Sequence, residues 1–217
     1  MQAIIMAAGF EAPPGEVTTV EPTALVDIAG QRIIDYALAF ASAAGAEHRI
    51  VVSGFLHREV ARHVAERDVD AVVVENNDFR KGSSLSLLAG RARLEPGGFL
   101  LMTTEHVYRP AVARMVAEVA RRAREVTAFR DGDRTLMSWV PSARVAAHAD
   151  AAHHLLDTAG EGTGVEAVLA ELARRGEAVV VAELERDGWL AIDEPASRAN
   201  ADDVLRRERW WPLDNPQ

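Results

Sequence analysis

Polar side chains that could contact a ligand follow several apolar segments of this chain. In an open α/β sheet, ligands bind beyond the carboxyl ends of the strands. Four places meet that condition: the turn after Ala7, residues 53–55, residues 76–86 and residues 104–108. The last of these carries a carboxylate, an imidazole and a phenol in Glu105, His106 and Tyr108. We therefore expect the chemistry of this protein at the carboxyl edge of a sheet.

Other common catalytic and metal-binding patterns are missing from the sequence. There is no cysteine, which excludes disulfides, thiolate zinc ligands and cysteine nucleophiles. We find no P-loop, no dinucleotide-binding glycine pattern and no recognisable Ser/His/Asp constellation. His148, His153 and His154 invite a metal site, but spacings of five and six residues do not match the i, i+4 pattern. We expect these histidines to face solvent on an alanine-rich helix.

Strand-like and helix-like segments alternate along the chain. Apolar runs predict strands at residues 3–7, 49–53, 70–75, 99–103, 126–130, 135–140 and 178–184. Helical spacing predicts helices at residues 31–44, 57–67, 84–94, 110–124 and 196–207, and a capping box of Thr163 and Glu166 predicts another. The alternation indicates a mainly parallel sheet with helices on both faces. The strand pair at 126–140 suggests an antiparallel addition at one edge.

Length and composition limit the possible functions. The 217 residues fit a single domain over residues 1–217, and 48% hydrophobic residues suit a folded core. A formal net charge of -9 argues against nucleic acid or an anionic membrane as the main partner. No apolar stretch reaches the roughly 20 residues of a membrane span, and the start lacks a signal peptide, so we expect a cytoplasmic protein. The apolar tail at 210–213 is expected to pack onto another surface, such as a second copy of the chain or a partner protein.

A series of short motifs runs through nearly the whole chain. They are AIIMAAGF at 3–10, PTALV at 22–26, IAGQ at 28–31, VVSGF at 51–55, NNDF at 76–79, SLSL at 84–87, LLMTTEHVY at 100–108 and GWLAIDEP at 188–195. In this order they resemble the motifs of the sugar- and alcohol-phosphate nucleotidyltransferases. The segment at 76–87 looks most like the cytidylyltransferase branch, which contains the inositol-phosphate and phosphocholine cytidylyltransferases.

This resemblance implies both a fold and a reaction. The fold is a three-layer α/β/α sandwich with a mixed, mostly parallel sheet, similar to that of nucleotide-sugar-using transferases. The reaction is Mg²⁺-dependent transfer of a nucleotidyl group from a nucleoside triphosphate, here CTP, to a small phosphate or phosphonate monoester, with release of pyrophosphate. Positive charge must be held around the phosphates, commonly by Mg²⁺ with arginine and lysine.

The resemblance also assigns roles to single residues. Glu105, at a metal-binding aspartate position, and Asp193, in the last motif, would act in catalysis and hold Mg²⁺. The remaining roles are nucleotide approach for Ala7, Ala8 and Gly9, contact with the base side for Asn76, Ser84 and Ser86, and contact with the acceptor for His106 and Tyr108. Ordinary helix capping is an alternative for Asp193, and for Ser83 or Ser84.

The chain departs from this family where phosphate is handled. Residues 10–23 contain three glutamates and no basic residue, and Thr23 stands where the family has lysine. Ala191 replaces an aspartate of the last motif. Arg80 and Lys81 are the nearest cations that could compensate. A second interpretation therefore stays open: a catalytically degenerate homologue that acts as a nucleotide-binding, regulatory or partner-binding protein.

Overall fold

The computed structural model describes residues 1–9, 21–67, 70–159 and 164–211. Its strands are β1 (Gln2–Ala7), β2 (Asp27–Ile28), β3 (Gln31–Arg32), β4 (His48–Ser53), β5 (Ala71–Glu75), β6 (Phe99–Thr103), β7 (His106–Tyr108), β8 (Val126–Asp131), β9 (Arg134–Val140), β10 (Val179–Glu183) and β11 (Trp189–Ala191). Seven of these strands form the main sheet in the order β10-β8-β9-β6-β1-β4-β5. The short strands pair separately, β2 with β3 and β7 with β11.

Helices cover both faces of the main sheet. In the described ranges they are α1 (Ile33–Ala43), α2 (His57–Glu66), α3 (Ser83–Arg91), α4 (Pro110–Arg122), α5 (Val145–Ala159), α6 (Val165–Arg174) and α7 (Pro195–Glu208). One buried cluster joins the sheet to α1, α2 and α4, and a second joins its other face to α3, α5 and α6. The expected three-layer α/β/α sandwich is therefore confirmed. None of these helices is both long and apolar enough to cross a lipid bilayer.

Strand β1 shows why the sequence pattern forms this sheet. All six of its residues are buried. Ala3 and Ile5 belong to the core cluster on one face, whereas Ile4 and Met6 belong to the cluster on the other. Because successive side chains of a strand point to opposite faces, a strand covered on both sides must be apolar throughout. The continuous apolar run at the start of the chain is explained by this central position.

The antiparallel pair β8–β9 does not lie at an edge of the sheet, so that expectation is wrong. Strand β9 pairs antiparallel with both β6 and β8, and β8 also pairs parallel with β10. Among the described strands of the main sheet, β9 alone runs against the others. Since the partner β10 follows β8 by about fifty residues in the chain, local pattern could not reveal that the pair is interior. The reversed direction of β9 places its first residue, Arg134, at the carboxyl edge of the parallel strands.

Some helix ends and one side-chain environment also differ from expectation. The hairpin β2–β3, which turns at Ala29 and Gly30 with positive φ, delays the start of α1 to Ile33. Helix α6 begins at Val165 with Gly164 as its N-cap, and the predicted capping box depends on Thr163, which lies outside the described residues. His148 does not face solvent: it is fully buried in α5, with its ring centroid 5.5 Å from that of Phe99.

The described part of the apolar tail packs on this chain's own fold. Trp211 donates a hydrogen bond from Nε1 to the carbonyl oxygen of Tyr108 at 2.8 Å. Trp210 is buried, with the Arg109 guanidinium 4.3 Å from its ring centroid. These contacts hold the end of α7 against β7. Residues 212 and 213 lie outside the described part of the chain.

We predict that Gly90→Val lowers the free energy of unfolding by about 2 kcal/mol, a typical cost of overpacking a core. Gly90 lies where α3 crosses the sheet, and a Cβ there would meet Ile4 Cγ2 at 2.8 Å and Val52 Cγ2 at 2.9 Å. Urea unfolding monitored by circular dichroism measures the change. Ala92→Val, at the exposed end of the same helix, is the matched control. Equal stability of the two variants would contradict this account of helix–sheet packing.

Candidate active site

The pairing of β7 with β11 brings two distant motifs together. Tyr108 lies opposite Trp189 and His106 opposite Ala191 in this antiparallel pair. Directly beyond it, the backbone N–H of Ile192 donates to the carbonyl oxygen of Glu105 at 2.9 Å. Glu105 and Asp193, which are far apart in sequence, therefore lie beside each other at the carboxyl edge of the main sheet. The electrostatic effect of Asp193 on Glu105, described below, reflects this proximity.

Asp193 forms an ion pair with Arg134, the first residue of β9. Arg134 Nη2 donates to Asp193 Oδ2 at 2.7 Å. Partial burial opposes ionisation of Asp193, but this hydrogen bond and the charge of Arg134 together hold the pKa of Asp193 below its ordinary value. Helix α7 has Glu194 as its N-cap and no side-chain cap. The alternative interpretation of Asp193 as a helix cap is therefore wrong.

Glu105 lies in an electrostatic environment opposite to that of Asp193. Loss of hydration against the surrounding protein raises the pKa of Glu105, and the neighbouring charges of Asp193 and Glu166 raise it further, while Arg134 lowers it. Its carboxylate faces solvent on one side and a cavity on the other. A carboxylate in this environment would gain from a nearby cation.

The cavity beside Glu105 has a volume of about 180 Å³. Its lining combines apolar and polar side chains: Met6, Ser83, Leu101, Met102, Thr103, Glu105, His106, Thr135, Leu136, Met137, Gly164 and Glu166. His106 is buried, and neither ring nitrogen has a hydrogen-bond partner among the described residues. Burial first, and the charge of Arg134 second, lower the pKa of His106 to about 4 despite the opposing effect of Asp193. A neutral imidazole offers a ligand one donor and one acceptor.

Tyr108 does not line this cavity, in contrast to its expected contact with the acceptor. Its side chain is buried in the core, with its ring centroid 4.7 Å from that of Phe40. The hydroxyl donates to the carbonyl oxygen of Leu136 at 3.0 Å. Burial raises the pKa of Tyr108 far above its ordinary value. The phenol therefore supports β9 from within the core, and we assign it no contact with substrate.

The polar residues after β5 bind one another. Asn76 Nδ2 donates to Ser86 Oγ at 2.9 Å, and Asn76 Oδ1 accepts from the backbone N–H of Asp78 at 3.0 Å. Asn76, Ser84 and Ser86 are all buried. Gly82 is the N-cap of α3, with no side-chain cap, so neither Ser83 nor Ser84 caps the helix. The network shapes the connection between β5 and α3, and contact of these residues with a base stays a prediction.

The turn after β1 is open at Gly9. Ala7 and Ala8 are buried, whereas Gly9 is exposed. Gly9 does not have a positive φ, and a Cβ at this residue would lie 3.6 Å from Thr23 Oγ1, an ordinary contact. The described fold therefore tolerates a side chain at this position. Glycine would be required only if a ligand approaches the backbone closely.

Comparison with known families identifies the family to which this chain belongs. The model of the MobA-like NTP transferase domain matches residues 3–176. The chain belongs to the MobA-like NTP transferase family. Its first motif and the site residues up to Glu166 lie within the matched range, and Asp193 lies beyond it.

Two curated relatives match about half of this chain. The bifunctional IPC transferase and DIPP synthase of Rubrobacter xylanophilus is 34% identical over 113 residues, which are 52% of this chain and 25% of that protein. The 2-aminoethylphosphonate cytidylyltransferase of Lancefieldella rimae is 30% identical over 119 residues, 52% of this chain and 48% of that protein. The matches thus span half or less of each relative's length.

Solved structures of other nucleotidyltransferases share the fold. The inositol-1-phosphate CTP transferase of T. maritima superposes with a TM-score of 0.69 at 16% identity, over 90% of both chains. A UDP-glucose pyrophosphorylase in complex with UDP-glucose superposes with a TM-score of 0.76 at 12% identity, over 96% of this chain and 99% of the other. At these identities the likeness establishes the fold alone.

The carboxylates of this site fit a magnesium ion held jointly with a nucleotide. Mg²⁺ in such sites is bound by one or two carboxylates together with water and substrate phosphates. Glu105 and Asp193 supply two neighbouring carboxylates, and burial first, with the charge of Asp193 second, raises the pKa of Glu105. The described residues contain no group of three or more histidines or acids that could hold a metal by themselves. An ion here would therefore depend on phosphate oxygens.

Two residues of the site were not identified from the sequence. Arg134 follows the short connection between β8 and β9, and nothing in its local pattern indicates a partner 59 residues further along the chain. Glu166 lines the cavity and influences Glu105, but its spacing from Thr163 also matches a cap. Of the expected compensating cations, Lys81 pairs with Asp78 at 3.0 Å and Arg80 lies 5.6 Å from the Phe79 ring centroid. Neither lines the described cavity.

Proposed function

We propose that this protein transfers a cytidylyl group from CTP to a small phosphate or phosphonate monoester. The observation that carries the proposal is the convergence of Glu105 and Asp193, through β7–β11 pairing, beside a cavity that contains an unpartnered buried imidazole. The names of the two relatives, an IPC transferase and a 2-aminoethylphosphonate cytidylyltransferase, support the choice of nucleotide and of acceptor class.

In this reaction an oxygen of the acceptor attacks the α-phosphorus of CTP. A new P–O bond forms, the bond between the α-phosphorus and its bridging oxygen breaks, and pyrophosphate leaves. Glu105 and Asp193 would hold Mg²⁺, which would neutralise charge that develops on the phosphates. The backbone at Ala7, Ala8 and Gly9 would approach the nucleotide, with Asn76, Ser84 and Ser86 on its base side. His106 would donate to or accept from the acceptor inside the cavity.

The absence of basic residues from segment 10–23 supports a second candidate, a homologue that binds ligands without catalysis. Residues 10–23 contain no arginine or lysine, and Ala191 replaces an acidic residue. An arginine or lysine that contacts a transferring phosphate is commonly worth several kcal/mol in the transition state. A protein with this loop would bind nucleotide weakly, or would act through a partner.

Calorimetric titration with CTP, GTP, UTP and ATP, each with and without Mg²⁺, distinguishes the two candidates. Transferase function predicts tight binding of CTP that depends on Mg²⁺, because Glu105 and Asp193 would hold the ion only together with the phosphates. The other nucleotides and Mg²⁺-free CTP are the internal controls. Absence of binding by all four nucleotides would reject the transferase proposal and favour a search for a protein partner.

A further inference from the structure

We propose that Arg134 binds the phosphate or phosphonate group of the acceptor. This inference rests on the proposed function and names the residue that recognises the acceptor's anion. Arg134 begins β9 at the carboxyl edge of the sheet, and the residue that follows it, Thr135, lines the cavity together with His106.

The position of Arg134 follows from the register of the sheet. Met137 of β9 lies opposite Met102 of β6. Three residues earlier along the antiparallel strand, Arg134 extends beyond the end of β6 and reaches the level of Glu105. The guanidinium therefore lies in the same layer as the two carboxylates, one of which it contacts.

Two neighbours hold the guanidinium in place. Asp193 accepts from Nη2 at 2.7 Å, and the guanidinium carbon lies 5.3 Å from the Trp189 ring centroid. The indole is itself fixed, because its Nε1 donates to Asp131 Oδ2 at 3.1 Å. A guanidinium has five N–H donors, and among the described residues Asp193 is the acceptor that engages them. The side chain is 39% exposed, so the remaining donors can reach a ligand. Such an oriented planar group suits bidentate binding of a tetrahedral oxyanion.

The positive charge of Arg134 acts on three neighbouring titratable groups. It lowers the pKa of Glu105, of His106 and of Asp193. No arginine or lysine lines the part of the cavity that the structure describes. Glu105, Glu166 and Asp193 bring negative charge to this region. Arg134 is the neighbouring cation that could attract an anion into the cavity.

The location separates the acceptor from the nucleotide. In the main sheet, β6 lies between β9 and β1, so the ends of β9 and β1 are about 10 Å apart. The turn after β1 and the start of α3 carry the residues assigned to the nucleotide, whereas Arg134 lies on the opposite side of the cavity. A phosphate at Arg134 would leave the rest of a small acceptor within the cavity, near His106.

The test compares Arg134→Gln and Arg134→Lys with the wild-type chain. Binding of methylphosphonate is measured by ³¹P NMR titration, and binding of CTP with Mg²⁺ by calorimetry. We expect Arg134→Gln to weaken methylphosphonate binding by about tenfold or more, which is the effect of a charge-assisted contact. Arg134→Lys should bind methylphosphonate with intermediate affinity. Lysine keeps the positive charge but lacks the planar guanidinium that can donate two parallel hydrogen bonds. Affinity for CTP with Mg²⁺ should fall less than affinity for methylphosphonate, because Arg134 would affect the metal site only through its ion pair with Asp193.

The matched control is Arg186→Gln, which removes an arginine from the same corner of the fold. Arg186 is 91% exposed and its Nη1 lies 3.9 Å from Asp131 Oδ2. Methylphosphonate binding that is absent from the wild-type chain, or equal in wild type and Arg134→Gln, would overturn the proposal. An equal loss of affinity for CTP would also overturn the proposal, because Arg134 would then bind the nucleotide. Methylphosphonate binding that depends on Arg134 in a protein that does not bind CTP would support this inference and reject the transferase function.

Discussion

Glu105→Ala is expected to reduce nucleotidyl transfer by about 100-fold or more, the usual cost of removing a group that stabilises charge in a transition state. Glu105 contributes one of the two carboxylates that the β7–β11 pairing brings together. Without it, Asp193 alone would face the phosphates, and Asp193 is already engaged by Arg134. Glu105→Asp keeps the charge and should retain or improve transfer, since the family carries aspartate at this position.

The measurement is pyrophosphate release, together with the Mg²⁺ dependence of CTP binding, which does not require turnover. Glu194→Gln is the matched control, because Glu194 is an exposed carboxylate adjacent to Asp193 with no side-chain cap in α7. Full turnover in Glu105→Ala, or unchanged Mg²⁺ dependence of CTP binding, would remove Glu105 from the metal site.

Acidification is expected to destabilise the fold through His148. Burial, together with the charge of Arg91, lowers the pKa of His148 from 6.5 to about 4. Between these values the unfolded chain binds a proton at this residue that the folded chain does not, so the free energy of unfolding falls as the pH falls. A shift of this size corresponds to about 3 kcal/mol, lost progressively from pH 6.5 to pH 4.

His148→Leu should remove this share of the pH dependence. Leucine fits the apolar surroundings on the α5 face of the sheet, so the variant should gain stability relative to wild type as the pH is lowered. His106, whose pKa is also lowered to about 4, contributes equally in both proteins. His153→Gln, an exposed change on the same helix, is the control. Urea unfolding at a series of pH values measures the effect, and parallel curves for His148→Leu and wild type would refute it.

The strands and helices with a regular hydrophobic pattern could be predicted from the sequence. The predicted strand at 99–103 matches β6, and the predicted helix at 57–67 ends within one residue of α2. Periodicity is informative here because each element is long enough to show which residues are buried. It did not reveal β7 and β11, which have three residues each and owe their pairing to contacts between residues some eighty positions apart. Those two strands are what brings Glu105 and Asp193 together.

The side chains of the site were harder to predict than the backbone. On the alanine-rich helix α5, alanine occupies buried and exposed positions alike, so the pattern does not show that His148 is buried. Tyr108 ends a motif that resembles a substrate-binding segment, but its ring packs in the core against Phe40, a contact between distant segments that local sequence does not show. Arg134 acquires its importance from Asp193, and an ion pair between distant segments has no local signal.

The family match ends before the last elements of the fold, and this affects any shortened version of the protein. The matched region ends at residue 176, yet β11, Asp193 and α7 all follow it. A protein trimmed to that boundary would keep Glu105 and Arg134 but lose the carboxylate that orients the arginine and the strand that pairs with β7. It would also expose the backbone of β7 and remove the indole that binds the Tyr108 carbonyl. The last thirty-five described residues, 177–211, thus supply the carboxylate partner of Arg134 and the strand that pairs with β7, so a shortened protein would lack both.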